Sequence, residues 1–420
     1  MKGKRMIVVL KDQFISKIAT VFCFTFLMIL LNQQSILAEI YHQKNFLVGD
    51  RASLMGGAYA AISDDASGAY YNPAGISFAY GDSVSGSGNA YHKVNTKYKK
   101  ALGNEYDWDR ESTSLLPNYF GLIKKFDDSA FTISYIVPET TIEHQDQVYH
   151  NIGSIDKYTL SLHSEDKIYL TGPSFSQKIS DSLAVGVTLF YYYRQYRLQQ
   201  SQYLKRSALS GGTEKLSYLS EKQTDQGFSP RVGVQWSPSE KFVIGVMGSQ
   251  TMLTSSDYVS DYSVIDEKLG ASDGQITTKD DTIRKTPTQL TGGIAYYPNP
   301  FWLLSFDLDY YIANDSDFQN VLNISGGGEV FLDNENALRF GFYTNNDKRK
   351  PPSDSTVNYE HIDMNGISFG YSTFSRNSSV SIGLIYSKGS GESQPLSGSS
   401  AIRDIERESM TIILAATYNY

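Results

Sequence analysis

The sequence predicts an all-β fold, a transmembrane antiparallel β-barrel of about 14 strands. Three observations carry this prediction. Apolar and polar residues alternate from about residue 82 to the C-terminus, short turns alternate with long polar stretches, and the N-terminus has the features of an export signal. The mean hydropathy of −0.32 is compatible with a barrel, because a transmembrane barrel carries its apolar face in alternate residues only.

The alternation is clearest from Phe301 to Ile312. Successive side chains of a strand point to opposite faces, so this stretch predicts a strand with one apolar face. That face carries Trp302, Leu304, Phe306, Leu308, Tyr310 and Ile312, and the opposite face carries Ser305, Asp307 and Asp309. Similar patterns occur at 183–194, 380–387 and 410–420. Half-buried strands of a soluble β-sandwich have the same periodicity, so the alternation alone leaves both architectures open.

The connections between the alternating stretches favour the barrel. Short turns are predicted at 127–128, 180–182, 237–240, 298–300, 333–336 and 375–378. Longer polar loops are predicted near 94–114, 139–165, 205–219, 259–284, 347–363 and 389–406. Short turns at one end and long loops at the other are typical of outer-membrane barrels, whose strand number is even. An even number returns the C-terminus to the periplasmic side, where the chain entered.

Residues 1–38 are predicted to be a signal peptide that directs the chain to the bacterial outer membrane. The segment begins with basic residues, 18–31 is apolar, and Ala38 is a small residue at a plausible cleavage position. The apolar run is short for a membrane span, although a retained anchor is the alternative. The only cysteine, Cys23, lies inside this segment. The formal charge of −8 becomes more negative without the basic leader, which argues against a nucleic-acid partner.

Residues 39–81 interrupt the strand pattern, and 82–420 are assigned to the barrel. The stretch is rich in glycine and alanine, and Asp64 and Asp65 could cap a short helix that carries Tyr70 and Tyr71. Pro73 would then end that helix. Irregular backbone at membrane depth is tolerated only where protein or water surrounds it. We therefore predict an N-terminal plug inside the barrel.

This stretch closely resembles the N-terminal hatch of the FadL/toluene-transporter family of outer-membrane proteins. The resemblance runs from Gly49 through the sequence GGAYAAISDDASGAYYNPAGIS. It rests on Gly56, Gly57, Asp64, Asp65, Asn72, Pro73 and Ala74, and the Asn-Pro-Ala turn ends the hatch in that family. The stretch 116–121 resembles the family's second strand, and 172–186 resembles its middle hairpin.

The resemblance implies a fourteen-stranded barrel plugged by the hatch. It also implies passive uptake of hydrophobic molecules such as long-chain fatty acids or aromatic hydrocarbons, with long-chain fatty acids as the favoured ligand and lateral release into the outer membrane. The expected surroundings are outer-membrane lipid and lipopolysaccharide. The C-terminal Tyr420 resembles the signal that the barrel-assembly machinery reads. The alternative is a structural or secretion-associated barrel whose loops bind a protein partner.

Two sets of residues are candidates for the ligand path. Ile40, Tyr41, Phe46 and Leu47 lie where the family's N-terminus closes its pocket, although a frayed terminus is an equal alternative. Arg51, Arg194 and Arg339 could attract a carboxylate head group, or could instead pair with lumen carboxylates such as Asp307 and Asp309. Pro138 either bends or ends the third strand, which is predicted at 129–137.

Catalytic, cofactor and metal sites are not predicted. Gly-x-Ser-x-Gly occurs at 270–274 and 366–370, but neither match has the strand–turn–helix setting of a hydrolase elbow. No nucleophile–base set is recognisable, so an outer-membrane lipid-modifying enzyme is disfavoured. His144 and His150 could bind a metal ion loosely in one loop, although solvated loop histidines are far commoner.

Overall fold

The computed structural model describes residues 42–102, 106–268, 271–315, 318–353, 360–394 and 401–420. The predicted signal peptide and the gate candidates Ile40 and Tyr41 lie outside these residues. No helix in the described part of the chain is long and apolar enough to cross a membrane.

Sixteen strands make up most of the described residues. They are β1 Ser83–Leu102, β2 Tyr106–Phe126, β3 Ser129–Ile152, β4 Ile155–Ser180, β5 Leu183–Arg206, β6 Glu214–Ser239, β7 Phe242–Gln250, β8 Met252–Asp266, β9 Ala271–Asp280, β10 Thr288–Asn299, β11 Trp302–Ile312, β12 Val321–Phe331, β13 Asn336–Asn345, β14 Glu360–Phe374, β15 Ser378–Ser393 and β16 Arg403–Asn419.

Fourteen of these strands form a closed antiparallel barrel, which confirms the predicted fold. Strands β1 to β7 and β10 to β16 pair with their neighbours in this order, and β16 closes the ring by pairing with β1. The remaining two, β8 and β9, form a hairpin at the end of the ring where β6 extends beyond β7. Strand β8 pairs with the part of β6 that extends beyond β7, and β9 pairs with β8.

The two faces of the wall differ in polarity as the sequence predicts. On β11 the side chains of Trp302, Leu304, Phe306, Leu308 and Tyr310 are 39–42% exposed on the outside. The intervening Ser305, Asp307 and Asp309 are only 1–6% exposed because they face the filled lumen. An apolar outer band with polar residues inside is the arrangement that lipid imposes on a barrel.

Most of the stretches predicted as long loops are strands instead. Strands β3 and β4 extend to a tight turn at 153–154, and β1 and β2 are separated only by 103–105. Their outer parts lack the apolar outward face of the rest of the wall: β3 is mainly polar there, and on β4 the apolar residues Tyr158, Leu160 and Leu162 face inward. Strand β4 has 26 residues and β13 has 10, which corresponds to about 85 Å and about 33 Å of strand. One side of the wall is therefore much taller than the other.

Pro138 bends the third strand and does not end it. Strand β3 continues to Ile152, with a register shift against β4 between Ile136 and Glu139. Proline has no N–H to donate to the ladder, so it is found at such irregularities. Backbone pairing between β2 and β3 also stops there, at Tyr119 and Ile136. The β2–β3 backbone ladder consequently ends beside Glu139, and beyond it the side chains of Gln145 and Gln147 donate to the β2 carbonyls of Glu111 and Asp109.

The N-terminal segment (residues 42–81) lies inside the ring. It contains helix α1 (Asp50–Leu54), helix α2 (Gly68–Tyr71) and a 3₁₀ helix (Pro73–Phe78), and a second 3₁₀ turn (Ala208–Ser210) lies between β5 and β6. Helix α1 contacts β13 to β16, whereas the 3₁₀ helix of the segment contacts β3 to β6. The segment therefore reaches across the lumen and packs against opposite walls.

A separate apolar core lies at the end of the barrel opposite the short turns. We call this end the far end. The core joins β1 to β4 with β14 and β16, and its members include Tyr98, Trp108, Leu160, Ile362 and Ile405. Tyr98 stacks on Trp108 with ring centroids 4.8 Å apart. The raised part of the wall is thus held together by its own apolar interior.

Candidate functional site

Wall glycines allow the N-terminal segment to approach the barrel backbone closely. A side chain on Gly245 would overlap the carbonyl of Ala60, and one on Gly341 would overlap the backbone at Met55 and Gly56. Glycines in the same situation on other strands are Gly186, Gly233, Gly293, Gly327, Gly370 and Gly383. The segment itself has Gly56 at φ 66° and Gly57 at φ 78°, a conformation that favours glycine.

The Asn-Pro-Ala turn attaches the segment to the wall. The buried Asn72 side chain donates hydrogen bonds to the carbonyl oxygens of Ala60 (2.7 Å) and Val234 on β6 (3.0 Å), and it accepts one from the Ala74 N–H (3.1 Å). Pro73 begins the 3₁₀ helix, where its missing N–H costs nothing. The Ala74 carbonyl then accepts a hydrogen bond from Ser176 on β4 (2.9 Å).

The two hatch aspartates hold the segment's own fold. Asp65 accepts hydrogen bonds from the Ser67 N–H (2.8 Å) and the Tyr59 hydroxyl (2.8 Å). The N-cap position of α2 is Ser67, so Asp65 lies just before the helix and is not its N-cap residue. Asp64 accepts a hydrogen bond from Arg51 (2.7 Å). Both carboxylates thereby stabilise the irregular backbone between the two helices.

Arg51 and Arg339 share one buried carboxylate, Glu329 on β12. Both guanidinium groups lie 2.7 Å from Glu329, and Arg339 also lies 3.6 Å from Asp50. The lumen aspartates Asp307 and Asp309 have different partners. Asp307 accepts hydrogen bonds from the N–H groups of Tyr59 and Ala60 (2.7 and 2.8 Å), and Asp309 pairs with Lys44 (2.5 Å). These groups connect the segment to the wall.

A cavity of about 130 Å³ lies above the segment on its far-end side. Gln43 and Tyr70 of the segment line it together with Tyr192 and Arg194 of β5, Asp225 and Arg231 of β6, residues 284–287, Tyr311 and Lys348. Here the sheet is interrupted, because Thr251 separates β7 from β8 and 281–287 separates β9 from β10. The lining combines tyrosine rings with five cationic side chains and a single carboxylate, Asp225.

Two arginines of this cavity differ in their charge partners. Arg194 pairs with Asp166 (2.6 Å) and Asp225 (3.5 Å). Arg231 is 6% exposed and donates to the Tyr70 carbonyl (2.8 Å), while its guanidinium lies 4.2 Å from the Tyr70 ring centroid. Among the residues that the structure describes, no carboxylate lies within ion-pair distance of Arg231, and its Nε has no hydrogen-bond partner. Its guanidinium is therefore met by the Tyr70 carbonyl and by the Tyr70 and Phe190 rings.

Arg231 was not among the arginines expected from the sequence to attract a ligand. The available signal was the alternation of β6, in which Val232 and Val234 are exposed outside and Arg231 therefore faces the lumen. The candidate Arg194 does line the cavity, whereas Arg51 and Arg339 belong to the Glu329 network.

The first described residues run along the wall beside the cavity. Phe46 lies against His92 (ring centroids 4.5 Å apart), and Leu47 packs with Tyr343 and Ile385. Lys44 pairs with Asp309, and His42 Nε2 donates to the Ile362 carbonyl (2.7 Å). Residues 42–48 are thus held by several strands at once.

The serine of one Gly-x-Ser-x-Gly match has a structural role. Ser368 on β14 is buried, donates to the Leu54 carbonyl (2.9 Å) and accepts a hydrogen bond from the Gly56 N–H (3.1 Å). The other match begins at Gly270, which lies outside the described residues. Within the described residues, no three histidine, cysteine, aspartate or glutamate side chains converge on one metal position.

The structure thus defines a class, the fourteen-stranded antiparallel barrel with an N-terminal segment inside its lumen. Solved structures of this fold include the toluene transporter TodX of Pseudomonas putida, with 14% identity, 90% of this chain and 99% of that chain covered, and a TM-score of 0.65. A FadL homologue of Pseudomonas aeruginosa has 15% identity, 89% and 99% coverage, and a TM-score of 0.61. The Ralstonia pickettii toluene transporter TbuX has 14% identity, 91% and 100% coverage, and a TM-score of 0.62.

At these identities the comparison shows a shared fold. No family profile matches the chain, and no curated protein matches it either. The FadL-like barrel expected from the hatch residues is confirmed as architecture by structures that match nearly the whole chain.

Proposed function

We propose that this protein is an outer-membrane diffusion channel for hydrophobic molecules, with a ligand site at Arg231. The observation that supports it most is a cavity with tyrosine walls and an uncompensated buried guanidinium, next to a segment that fills the lumen. The short turns face the periplasm and the far end faces outward, the orientation usual for such asymmetric barrels. A solute that moves down its own gradient needs only a binding site and a gate.

The ligand that fits this site best is a long-chain fatty acid. Its carboxylate would neutralise Arg231 through a charge-assisted hydrogen bond, a contact of about 1.5–3 kcal/mol, and its chain would lie against Tyr70, Tyr192 and Leu253. Solved neighbours are described as toluene or monoaromatic hydrocarbon channels. A neutral aromatic molecule would leave the charge of Arg231 unpaired, which is unfavourable in a buried site.

Release sideways through the wall is supported by the bend in β3. Backbone pairing between β2 and β3 ends at Tyr119 and Ile136, and Glu139 beyond the bend accepts a hydrogen bond from Asn45 (2.6 Å). Residues 42–48 therefore cover the place where the wall is least closed. Their displacement would let a ligand leave between the two strands into lipid. The proposed partners of the barrel itself are lipopolysaccharide, which would surround the far end, and the barrel-assembly machinery, which would insert the chain into the membrane.

A binding titration tests this function. The purified protein in detergent is titrated with a fluorescent long-chain fatty acid, with toluene as a competitor. We expect saturable binding that is at least tenfold weaker in Arg231→Gln, which corresponds to about 1.4 kcal/mol or more. Arg197→Gln is the matched control, because Arg197 is exposed on the outer face of β5.

Two results would count against the proposal. One is wild-type protein that shows no saturable binding, and the other is Arg231→Gln protein that binds the fatty acid as tightly as the wild type. Fatty-acid uptake that is unchanged in a deletion strain would favour the alternative of a structural or secretion-associated barrel with a protein partner.

A further inference from the structure

Two histidines face each other across the β3–β4 hairpin, outside the lumen. His144 and His163 are direct partners in the antiparallel register. Their Nδ1 atoms are 2.7 Å apart, and their ring centroids are 5.0 Å apart with the planes at 61°. Both lie beyond the bend at Pro138, on the raised part of the wall and away from the cavity.

This geometry requires a lone pair on at least one ring. A hydrogen bond between two ring nitrogens needs one donor and one acceptor, so at least one imidazole is neutral at that atom. Neutral imidazole is the commonest protein ligand of zinc and its neighbours among the transition metals. Two nitrogens at 2.0–2.1 Å from a tetrahedral ion are about 3.3 Å apart. The two rings, of which His144 is exposed and His163 half-buried, need to separate by only about 0.6 Å to admit such an ion.

Oxygen ligands lie on the same face on both sides of the pair. Asp146 is the next outward residue on β3, and its carboxylate accepts a hydrogen bond from Ser161 (2.6 Å), whose hydroxyl lies 3.4 Å from His163 Nε2. Glu165 is the next outward residue on β4 and pairs with Lys167 (3.1 Å). A rotation of the Asp146 side chain, together with water, would complete a coordination shell around an ion at the histidines.

We propose that His144 and His163 bind one divalent transition-metal ion, with Zn²⁺ as the probe. The ion would link the two arms of the hairpin at residues that are 19 positions apart in sequence. It would therefore resist separation of the hairpin's outer part. The His144–His150 pair considered from sequence differs, because in the structure His150 lies opposite Lys157.

Isothermal titration of the full chain in detergent with ZnCl₂ tests the site. We expect one saturable site in the wild type and binding at least tenfold weaker in His144→Ala and His163→Ala. His150→Ala is the matched control, because His150 is exposed on the same face of β3 and lacks a histidine partner in the register. This control should bind like the wild type, and equal heat-modifiable gel migration would show that all variants fold.

Limited proteolysis gives a second readout. Zn²⁺ should slow cleavage near the turn at 153–154 in the wild type and in His150→Ala, and should have no effect in the other two variants. The proposal is overturned by an absence of saturable binding in the wild type, by unchanged binding in either His144→Ala or His163→Ala, or by an equal loss in His150→Ala.

Discussion

Asn45 donates a 2.6 Å hydrogen bond to Glu139, and this contact joins the start of the lumen segment to the third strand just beyond its proline bend. Asn45 also accepts a hydrogen bond from Asn345 on β13 (3.1 Å). A single side chain therefore bridges two parts of the wall. It does so beside the point where β2 and β3 stop pairing.

Asn45→Ala should loosen residues 42–48. A side-chain hydrogen bond contributes about 0.5–1.5 kcal/mol, so the displaced segment should become several-fold more populated. The measurement is maleimide labelling of Gln43→Cys, since the chain's only cysteine lies within the predicted signal peptide. Labelling should be correspondingly faster in the double variant than in Gln43→Cys alone. Equal rates would show that the Asn45 bridge does not hold the segment.

Gly293→Val should destabilise the barrel, whereas Gly292→Val should not. The two glycines are neighbours on β10, but a side chain at 293 would press on Ala60 and Asp307, and one at 292 would meet open space. Forced overpacking costs about 1–3 kcal/mol. The midpoint of urea unfolding, followed by heat-modifiable gel migration, should fall for Gly293→Val only. A similar fall for both variants would point to β10 itself and not to its contact with the segment.

Glu329→Gln should be among the most destabilising single changes. It removes the carboxylate that Arg51 and Arg339 share in a buried position, and breaking a buried pair costs about 3–5 kcal/mol. The comparison is Glu408→Gln, which removes the exposed pair with Lys388 and should leave stability almost unchanged, because solvent screens such a pair. Unfolding free energies in detergent would measure both. Equal small effects would mean that neither arginine depends on Glu329.

The far-end core should open in acid. Burial by itself raises the pKa of Glu360, but Arg407, Arg349 and Arg110 outweigh burial and lower that pKa to about 2. Because the pKa of Glu360 is lower in the folded chain than its ordinary value of 4.5, the ionised carboxylate stabilises the fold at pH values above 4.5. This stabilisation is lost as the pH falls from 4.5 towards 2. Trp108 packs in this core, so its fluorescence emission should shift to longer wavelength over that range.

Glu360→Gln tests the assignment of this acid response. The variant should show the shifted Trp108 emission already at pH 7 and should lose most of the change between pH 4.5 and 2. Replacing Trp236 and Trp302 by Phe leaves Trp108 as the only tryptophan and isolates the signal. An unaltered acid transition in Glu360→Gln would assign it to other carboxylates.

The barrel could be predicted because its signal is local. Alternation along β11 reports which side chains face lipid, and short turns report where strands reverse, so the strand number and antiparallel order follow from neighbouring residues. The raised parts of β3 and β4 escaped this reasoning because their outward faces are polar and the apolar side chains of β4 there face inward. Pro138 was ambiguous for a related reason, since its effect depends on whether the partner strand tolerates a register shift.

The sequence by itself determined a barrel with one apolar face and an irregular glycine-rich start, because periodicity and backbone propensity act over a few residues. Only the tertiary structure decided which charges meet. Arg51 and Glu329 are 278 positions apart, and His144 faces His163 and not His150. Arg231 stands out only because the folded lumen places no carboxylate beside it among the described residues. Strand register and the path of the segment bring such groups together, and neither is encoded in a short stretch of chain.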